Sequence, residues 1–174
     1  MSGLMGREEA VSAADTTTYE LDQSVVAVDL SLPLADTVTL KGQYFKGSNL
    51  AQYLGGVGQG IAEIPAEGAG RTELVEVEAS GWWAQLTVKP NQSWQFNVGA
   101  GSDDPELDED DTAGNDLEKN TTYFGNAIWT VTPSAVVGFE YAMIETEYMV
   151  RGEEETTTES YQNNRLQLSF MYKF

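Results

Sequence analysis

The last ten residues, 165–174, read RLQLSFMYKF and end on an aromatic residue. Alternate side chains of an extended strand point to opposite faces, so this segment has one apolar face and one largely polar face. The apolar face finishes with two aromatic residues at the terminus, where a strand that faces lipid carries its interfacial belt. The pattern therefore indicates the closing strand of a transmembrane β-barrel. Its apolar residues are Leu166, Leu168, Phe170, Tyr172 and Phe174.

The composition excludes several classes of protein. The formal charge is -19, from 28 acidic and 9 basic residues, which argues against a nucleic-acid partner. The chain has no cysteine and no histidine, so thiol nucleophiles, histidine-based triads and ordinary zinc sites are absent. We expect no enzymatic activity, no cofactor and no metal site. No run of 18 apolar residues is present, so the sequence predicts no transmembrane helix.

Short turns alternate along the chain with long polar segments. Proline-containing turns occur at 33–36, 90–93 and 132–135, and each lies between two alternating segments. The long polar segments are 47–72, 102–120 and 150–160. Outer-membrane barrels have this asymmetry, with short periplasmic turns and longer external loops. We therefore predict an all-β, antiparallel, up-and-down transmembrane barrel.

The alternation predicts about seven strands, an odd number where single-chain bacterial barrels normally have an even one. We therefore expect an open half-barrel, a fragment of a larger even-stranded barrel. Residues 1–16 would be the remnant of an external loop, and residues 17–174 the C-terminal portion of one barrel domain. A signal peptide is not recognisable and would belong to a missing N-terminal part. The predicted strands are 17–32, 36–47, 73–89 with a bulge near Ser80 and Gly81, 92–101, 121–131, 135–148 and 165–174.

The polar side of these strands would line a water-filled lumen. Lumen charges set the sign of the ion that a pore prefers, and near-parity here predicts weak selectivity from this half. Alternatively, Lys41 and Arg165 only pair with inward acids to hold the barrel shape. The predicted pore-lining residues are Asp29, Lys41, Gln43, Gln85, Gln95, Asn97, Asn126, Glu140, Arg165 and Gln167.

Large aromatic residues recur on the apolar side of the predicted strands, at positions typical of interfacial belts rather than of a ligand site. Phe124 and Ile128 are exceptions, because alternation assigns them to the polar side. The predicted belt comprises Tyr44, Trp82, Trp94, Tyr123, Trp129, Tyr141, Tyr172 and Phe174.

The segment SNLAQYLGGVGQGI, residues 48–61, is rich in glycine and has no charged residue. A single helical turn over 49–54, capped by Ser48 and ended by Gly55 and Gly56, fits its sequence. Such a loop can fold into the lumen and narrow it, or pack on the barrel rim or a neighbouring protomer. The glycine-rich composition suits a confined site better than an exposed loop, and both interpretations stay open. The predicted constriction residues are Asn49, Leu50, Gln52, Tyr53 and Leu54.

The segment SDDPELDEDDTAGNDLE, residues 102–118, concentrates the hard oxygen donors that calcium prefers. Its spacing is not that of a twelve-residue calcium loop with glycine at position six. A solvated, self-repelling external loop is the better interpretation, and residues 153–155 receive the same one.

Four stretches together resemble the C-terminal half of porin-like outer-membrane proteins of Gram-negative bacteria, near the DcaP-like trimeric porins. The resemblance implies a passive diffusion pore for small hydrophilic solutes or ions, a homotrimer, and contact with lipid and lipopolysaccharide. Two other functions stay open: a non-conducting outer-membrane barrel with a structural or surface-interaction role, and a soluble all-β binding module. The stretches are TVTLKGQYFKGSNLAQYLGGVGQGI, GWWAQLTVKPNQSWQFNVGAGSDDP, YFGNAIWTVTPSAVVGFEY and NRLQLSFMYKF, within residues 24–174.

Overall fold

A computed structural model describes residues 1–12, 17–53, 55–65, 72–107, 117–151 and 156–174. The described chain forms one 8-stranded sheet and one 2-stranded sheet. Two short 3-10 turns, Ala51–Tyr53 and Gly56–Gly58, lie between β3 and β4. The strands are β1 (Ser2–Val11), β2 (Thr18–Ala35), β3 (Val38–Ser48), β4 (Ile61–Pro65), β5 (Thr72–Glu76), β6 (Glu78–Val88), β7 (Trp94–Glu106), β8 (Leu117–Thr132), β9 (Ala135–Arg151) and β10 (Thr156–Tyr172).

The large sheet has the strand order β1-β2-β3-β6-β7-β8-β9-β10, and its neighbours are antiparallel throughout. Each strand thus lies beside the next one of the sheet along the chain, which confirms the all-β, up-and-down architecture. Within the described residues, β1 pairs only with β2 and β10 only with β9. The sheet is therefore open, as predicted.

The sheet has eight strands because residues 2–11, predicted to lie in an external loop, form β1. Cross-strand ion pairs support this strand: Arg7 donates to Asp22 Oδ1 at 3.0 Å and to Glu20 Oε2 at 2.9 Å. The apolar alternation that identified the other strands is weak in GREEAV. Hydrophobic alternation therefore does not identify this strand, whose second half carries charged residues.

The predicted strand 73–89 is divided between two sheets. Residues 72–76 form β5 and pair with β4, whereas β6 joins β3 and β7 in the large sheet. The register from Val38↔Val88 to Ser48↔Glu78 is continuous, so the bulge predicted near Ser80 and Gly81 is absent. The change in alternation marks a change of sheet at Val77 rather than an extra residue in one strand.

Several strands extend beyond their predicted ends. β7 continues to Glu106, and β9 and β10 have 17 residues each. A tilted strand needs only about 9–11 residues to cross the hydrocarbon core. The extra residues carry charge: Lys46 pairs with Glu78 at 3.2 Å and Glu106 at 3.1 Å, and Lys119 with Asp104 at 3.5 Å. These ends of the strands are therefore charged rather than apolar.

The two faces of the large sheet differ in chemistry. On one face, the apolar face, large hydrophobic side chains alternate with the residues of the opposite, polar face. These side chains are exposed: Phe96 by 44%, Phe139 by 51% and Phe170 by 77%. In the described residues, no helix is both long and apolar enough to cross a membrane. Further residues of the apolar face are Val26, Val28, Leu30, Leu32, Leu40, Tyr44, Trp82, Leu86, Trp94, Val98, Tyr123, Trp129, Tyr141, Leu166, Leu168 and Tyr172.

Candidate functional site

The polar face carries a row of hydrogen-bonding side chains across six neighbouring strands. Successive pairs in the register connect these residues, so they lie side by side at one level of the sheet. The register follows from the alternation, because a slip of one residue would turn the row toward the apolar side. The polar row consists of Thr39, Thr87, Asn97, Asn126, Glu140 and Gln167.

Asn97 is the centre of this row. Its side-chain oxygen accepts hydrogen bonds from Thr87 at 2.8 Å, Gln95 at 3.0 Å and Gln85 at 3.2 Å. Its amide nitrogen donates to Asn126 Oδ1 at 2.5 Å. Asn97 is only 6% exposed, so these partners satisfy an amide that has little access to water.

The chain of hydrogen bonds that starts at Asn97 leads to an ion pair at Glu140. Asn126 donates to Glu140 Oε2 at 3.2 Å, and Arg165 donates to Glu140 Oε1 at 2.9 Å. The Arg165 side chain is 55% exposed and that of Glu140 is 29% exposed. Both charges of this ion pair therefore remain partly exposed to solvent.

The remaining predicted lumen residues lie on the same face. Gln43 donates to Asp29 Oδ1 at 2.7 Å. Lys41 is opposite Gln85 in the register and lines a cavity of about 160 Å³ with Lys89 and Gln95. The structure thus brings every predicted pore-lining residue onto one face.

A separate cavity measures about 260 Å³, against about 160 Å³ for the cavity at Lys41. The 260 Å³ cavity lies beside residues 49–60, between Glu8 and Gln59. The two cavities therefore lie in different parts of the polar face.

Two aromatic residues on the polar face lie opposite glycines. Phe45 is paired with Gly81, and Phe124 with Gly99. A Cβ atom added to Gly99 would lie 2.6 Å from Phe124 Cζ, so the ring occupies the space that a side chain would need. An aromatic side chain that covers a cross-strand glycine restores packing at that position. This explains why Phe124 departs from the polar pattern.

The predicted belt residues lie along the apolar face, with Phe174 just beyond the end of β10. Trp94 stacks on Trp129 and on Phe96, each at a ring-centroid distance of 5.6 Å. The rings are exposed rather than packed in an interior, as an interfacial belt requires. The exposed rings are those of Tyr44, Trp82, Trp94, Tyr123, Trp129, Tyr141, Tyr172 and Phe174.

Residues 49–53 and 55–60 lie over the polar face and are called here the loop of residues 49–60. Leu50, Tyr53 and Gly55 line a cavity of about 200 Å³ together with polar-face residues of β2 and β3. Leu50 is 2% exposed and Asn49 is 1% exposed, whereas Tyr53 is 50% exposed. The predicted helical turn is a 3-10 turn, Ala51–Tyr53, followed by a second at Gly56–Gly58. Gln52 is exposed, and Leu54 lies outside the described residues.

Among the described residues, the side chains of Asp103, Asn49 and Gln59 connect this loop to the strands. The Asp103 carboxylate accepts hydrogen bonds from the backbone N–H of Gly56 at 2.9 Å and of Val57 at 2.8 Å. Asn49 donates to Glu8 Oε2 at 3.1 Å, and Gln59 donates to the Leu117 carbonyl at 2.6 Å.

Asp103 is not among the predicted site residues, because the sequence predicts an external loop over residues 102–118. The signal was present in the alternation: residues 97, 99, 101 and 103 share one face of β7 if the strand is extended past residue 101. Residues 108–116 and 152–155 lie outside the described part of the chain, so the solvated acidic loop stays a prediction. Among the described residues, no group of three or more acidic side chains is placed to hold a metal ion.

The crystal structure of the outer membrane channel DcaP of Acinetobacter baumannii is similar to this chain. The TM-score is 0.70 at 17% sequence identity, and the match covers 99% of this chain and 46% of that one. This chain thus spans about half the length of the channel. No protein-family profile and no curated protein gives a significant match. At this identity the likeness concerns the fold alone: the chain is folded like a portion of that channel's β-barrel.

Proposed function

We propose that the chain is part of an outer-membrane porin that passes small hydrophilic solutes or ions by passive diffusion. The observation that carries the proposal is the contrast between the two faces of the sheet. One face exposes Phe96, Phe139 and Phe170. The other holds the polar row and the loop of residues 49–60. A wall with this arrangement suits lipid on one side and water on the other.

A complete pore needs strands beyond those of this sheet. β1 pairs with β2 only as far as Ser2↔Ala27, so the β2 edge from Val28 to Ala35 has no partner among the described residues. In hydrocarbon, unpaired backbone groups at such an edge are costly. β1 and β10 run in opposite directions, so antiparallel closure takes an even number of further strands. We propose that the same polypeptide supplies them, together with the signal peptide.

The location and partners belong to the same proposal. The exposed apolar face would contact lipid and lipopolysaccharide of the bacterial outer membrane, and the resemblance implies a homotrimer. As a porin, the protein would have no enzymatic activity and would not bind nucleic acid. A soluble binding module is disfavoured, because it would bury the apolar face that is exposed here.

Planar-bilayer recordings test the proposal. We expect the full-length protein that contains this chain to give discrete conductance steps after insertion into a lipid bilayer. A denatured sample and a detergent blank are the controls. A folded, inserted protein that gives no steps would contradict the porin function and support the non-conducting barrel. A monodisperse product in the absence of detergent would instead support the soluble module.

The Arg165–Glu140 pair gives a second prediction. We expect Arg165→Gln to shift the pore toward cations, and Glu140→Gln to shift it toward anions, because each leaves one charge without its partner. A unit charge about 7 Å from an ion in water changes its free energy by roughly 0.6 kcal/mol, which corresponds to about a two- to threefold change in permeability ratio. Reversal potentials under a salt gradient measure this ratio.

The matched control for this pair is Arg7→Gln. It removes the same charge as Arg165→Gln, but Arg7 bridges Glu20 and Asp22 on the opposite side of the sheet, near its outer end. We expect little change in its reversal potential. Shifts of the same sign for Arg165→Gln and Glu140→Gln would show that the pair does not face the permeation path.

A further inference from the structure

In the part of the chain that the structure describes, the Asp103 carboxylate holds the middle of the loop of residues 49–60 to the sheet. Both oxygens of Asp103 are used: Oδ1 accepts from the Gly56 N–H and Oδ2 from the Val57 N–H, at 2.9 and 2.8 Å. Successive backbone N–H groups that point to one anion form a concave binding site for it. Hydrogen bonds to an ionised acceptor are stronger than those between neutral groups.

The backbone of the loop makes this contact specific. Gly56 has φ 65° and Gly58 has φ 78°, and Val57 between them has φ 51°, an uncommon value for a β-branched residue. This conformation directs the N–H groups of residues 56 and 57 toward β7. The other two anchors act at the ends of the loop, through Asn49 and Gln59. Asp103 is therefore the anchor of the middle of the loop.

The strand positions Asp103 on the polar face. It is opposite Gly81 on β6 and Asn120 on β8. Its neighbour Asp104 points to the other face and pairs with Lys119 at 3.5 Å. Two adjacent aspartates thus have different surroundings, and only Asp103 contacts the loop.

We propose that Asp103 is the positioning residue that keeps the loop of residues 49–60 folded over the lumen and thereby sets the width of the pore. This inference rests on the proposed function and adds to it the residue that controls the constriction. Asparagine in place of Asp103 presents an NH2 group to one of the two backbone donors and carries no charge. The loop then loses at least one hydrogen bond to a charged group.

A cysteine reporter measures the position of the loop without any need for conduction. Ala79 is 0% exposed, and a Cβ atom added to Gly56 would lie 3.2 Å from its Cβ, so the loop covers it. The chain has no cysteine, so Ala79→Cys supplies a single thiol. We expect Asp103→Asn to accelerate its labelling by a thiol reagent by about tenfold, the change for one lost hydrogen bond to a charged group.

Single-channel recording then relates the loop to the pore. We expect Asp103→Asn to raise the conductance and the open-channel noise, while Asp104→Asn, the matched control, leaves both unchanged. Urea unfolding of both variants checks that each sheet is folded. Equal labelling rates and equal conductance for the two variants would overturn the inference while the wild-type steps stand. A wild-type protein without steps would instead refute the proposed function, and the labelling result would still report whether Asp103 holds the loop.

Discussion

Arginine in place of Val98 is expected to destabilise the folded protein by about 2–4 kcal/mol, the range for a basic side chain near the bilayer midplane of a transmembrane barrel. Val98 is 59% exposed on the apolar face. It lies between Leu86 and Gly125 in the register, away from the charged outer ends of the strands. A guanidinium at this position would have to enter hydrocarbon without a partner. Urea titration of protein folded in lipid vesicles, followed by tryptophan fluorescence, measures the change.

Gln95→Arg is the matched control for this prediction. Gln95 is on the same strand but on the polar face, where its amide donates to Asn97. A guanidinium there would reach water, so we expect the free energy of unfolding to fall by less than about 1 kcal/mol, the usual contribution of one hydrogen bond. Equal losses of unfolding free energy for the two variants, or a larger loss for Gln95→Arg, would contradict the assignment of the apolar face to lipid and of the polar face to water.

Alternation predicted most of the large sheet because one face had to be apolar throughout. A strand whose two faces contact different solvents must alternate apolar and polar side chains. Pairing with its neighbours then fixes its register, because a slip of one residue would exchange the two faces. The hydrogen bonds from Asn97 to Asn126 and from Asn126 to Glu140 depend on that register. The sequence could therefore place these residues on one face. It could not show that they bond to one another.

The elements that sequence reasoning missed do not depend on alternation. β1 is supported by the bridges from Arg7 to Glu20 and Asp22, which a hydrophobic pattern does not reveal. The hairpin of β4 and β5 leaves the large sheet, so its alternation has no fixed relation to that of β6. The loop is held by backbone N–H groups that bind Asp103, and backbone donors are the same for every residue type except proline.

Alanine in place of Gly99 is expected to lower the free energy of unfolding by about 1–3 kcal/mol, as overpacking does at other sites. The new Cβ atom would lie 2.6 Å from the Ala84 carbonyl oxygen and 2.6 Å from Phe124 Cζ. The ring could move aside, but the carbonyl belongs to the backbone of β6, which is paired on both sides. Urea titration in lipid vesicles measures the loss.

Two further variants separate the causes of this effect. Gly125→Ala is the matched control, because its Cβ atom would lie 3.9 Å from its nearest neighbour, the Asn97 carbonyl oxygen, and we expect no loss. Combining Gly99→Ala with Phe124→Leu in a double-mutant cycle removes the clash with the ring and leaves the clash with the carbonyl. Coupling between the two sites would assign the loss to the ring that covers Gly99. If Gly99→Ala were as stable as Gly125→Ala, the close pairing of Phe124 with Gly99 would be contradicted, and with it the explanation for an aromatic residue on the polar face.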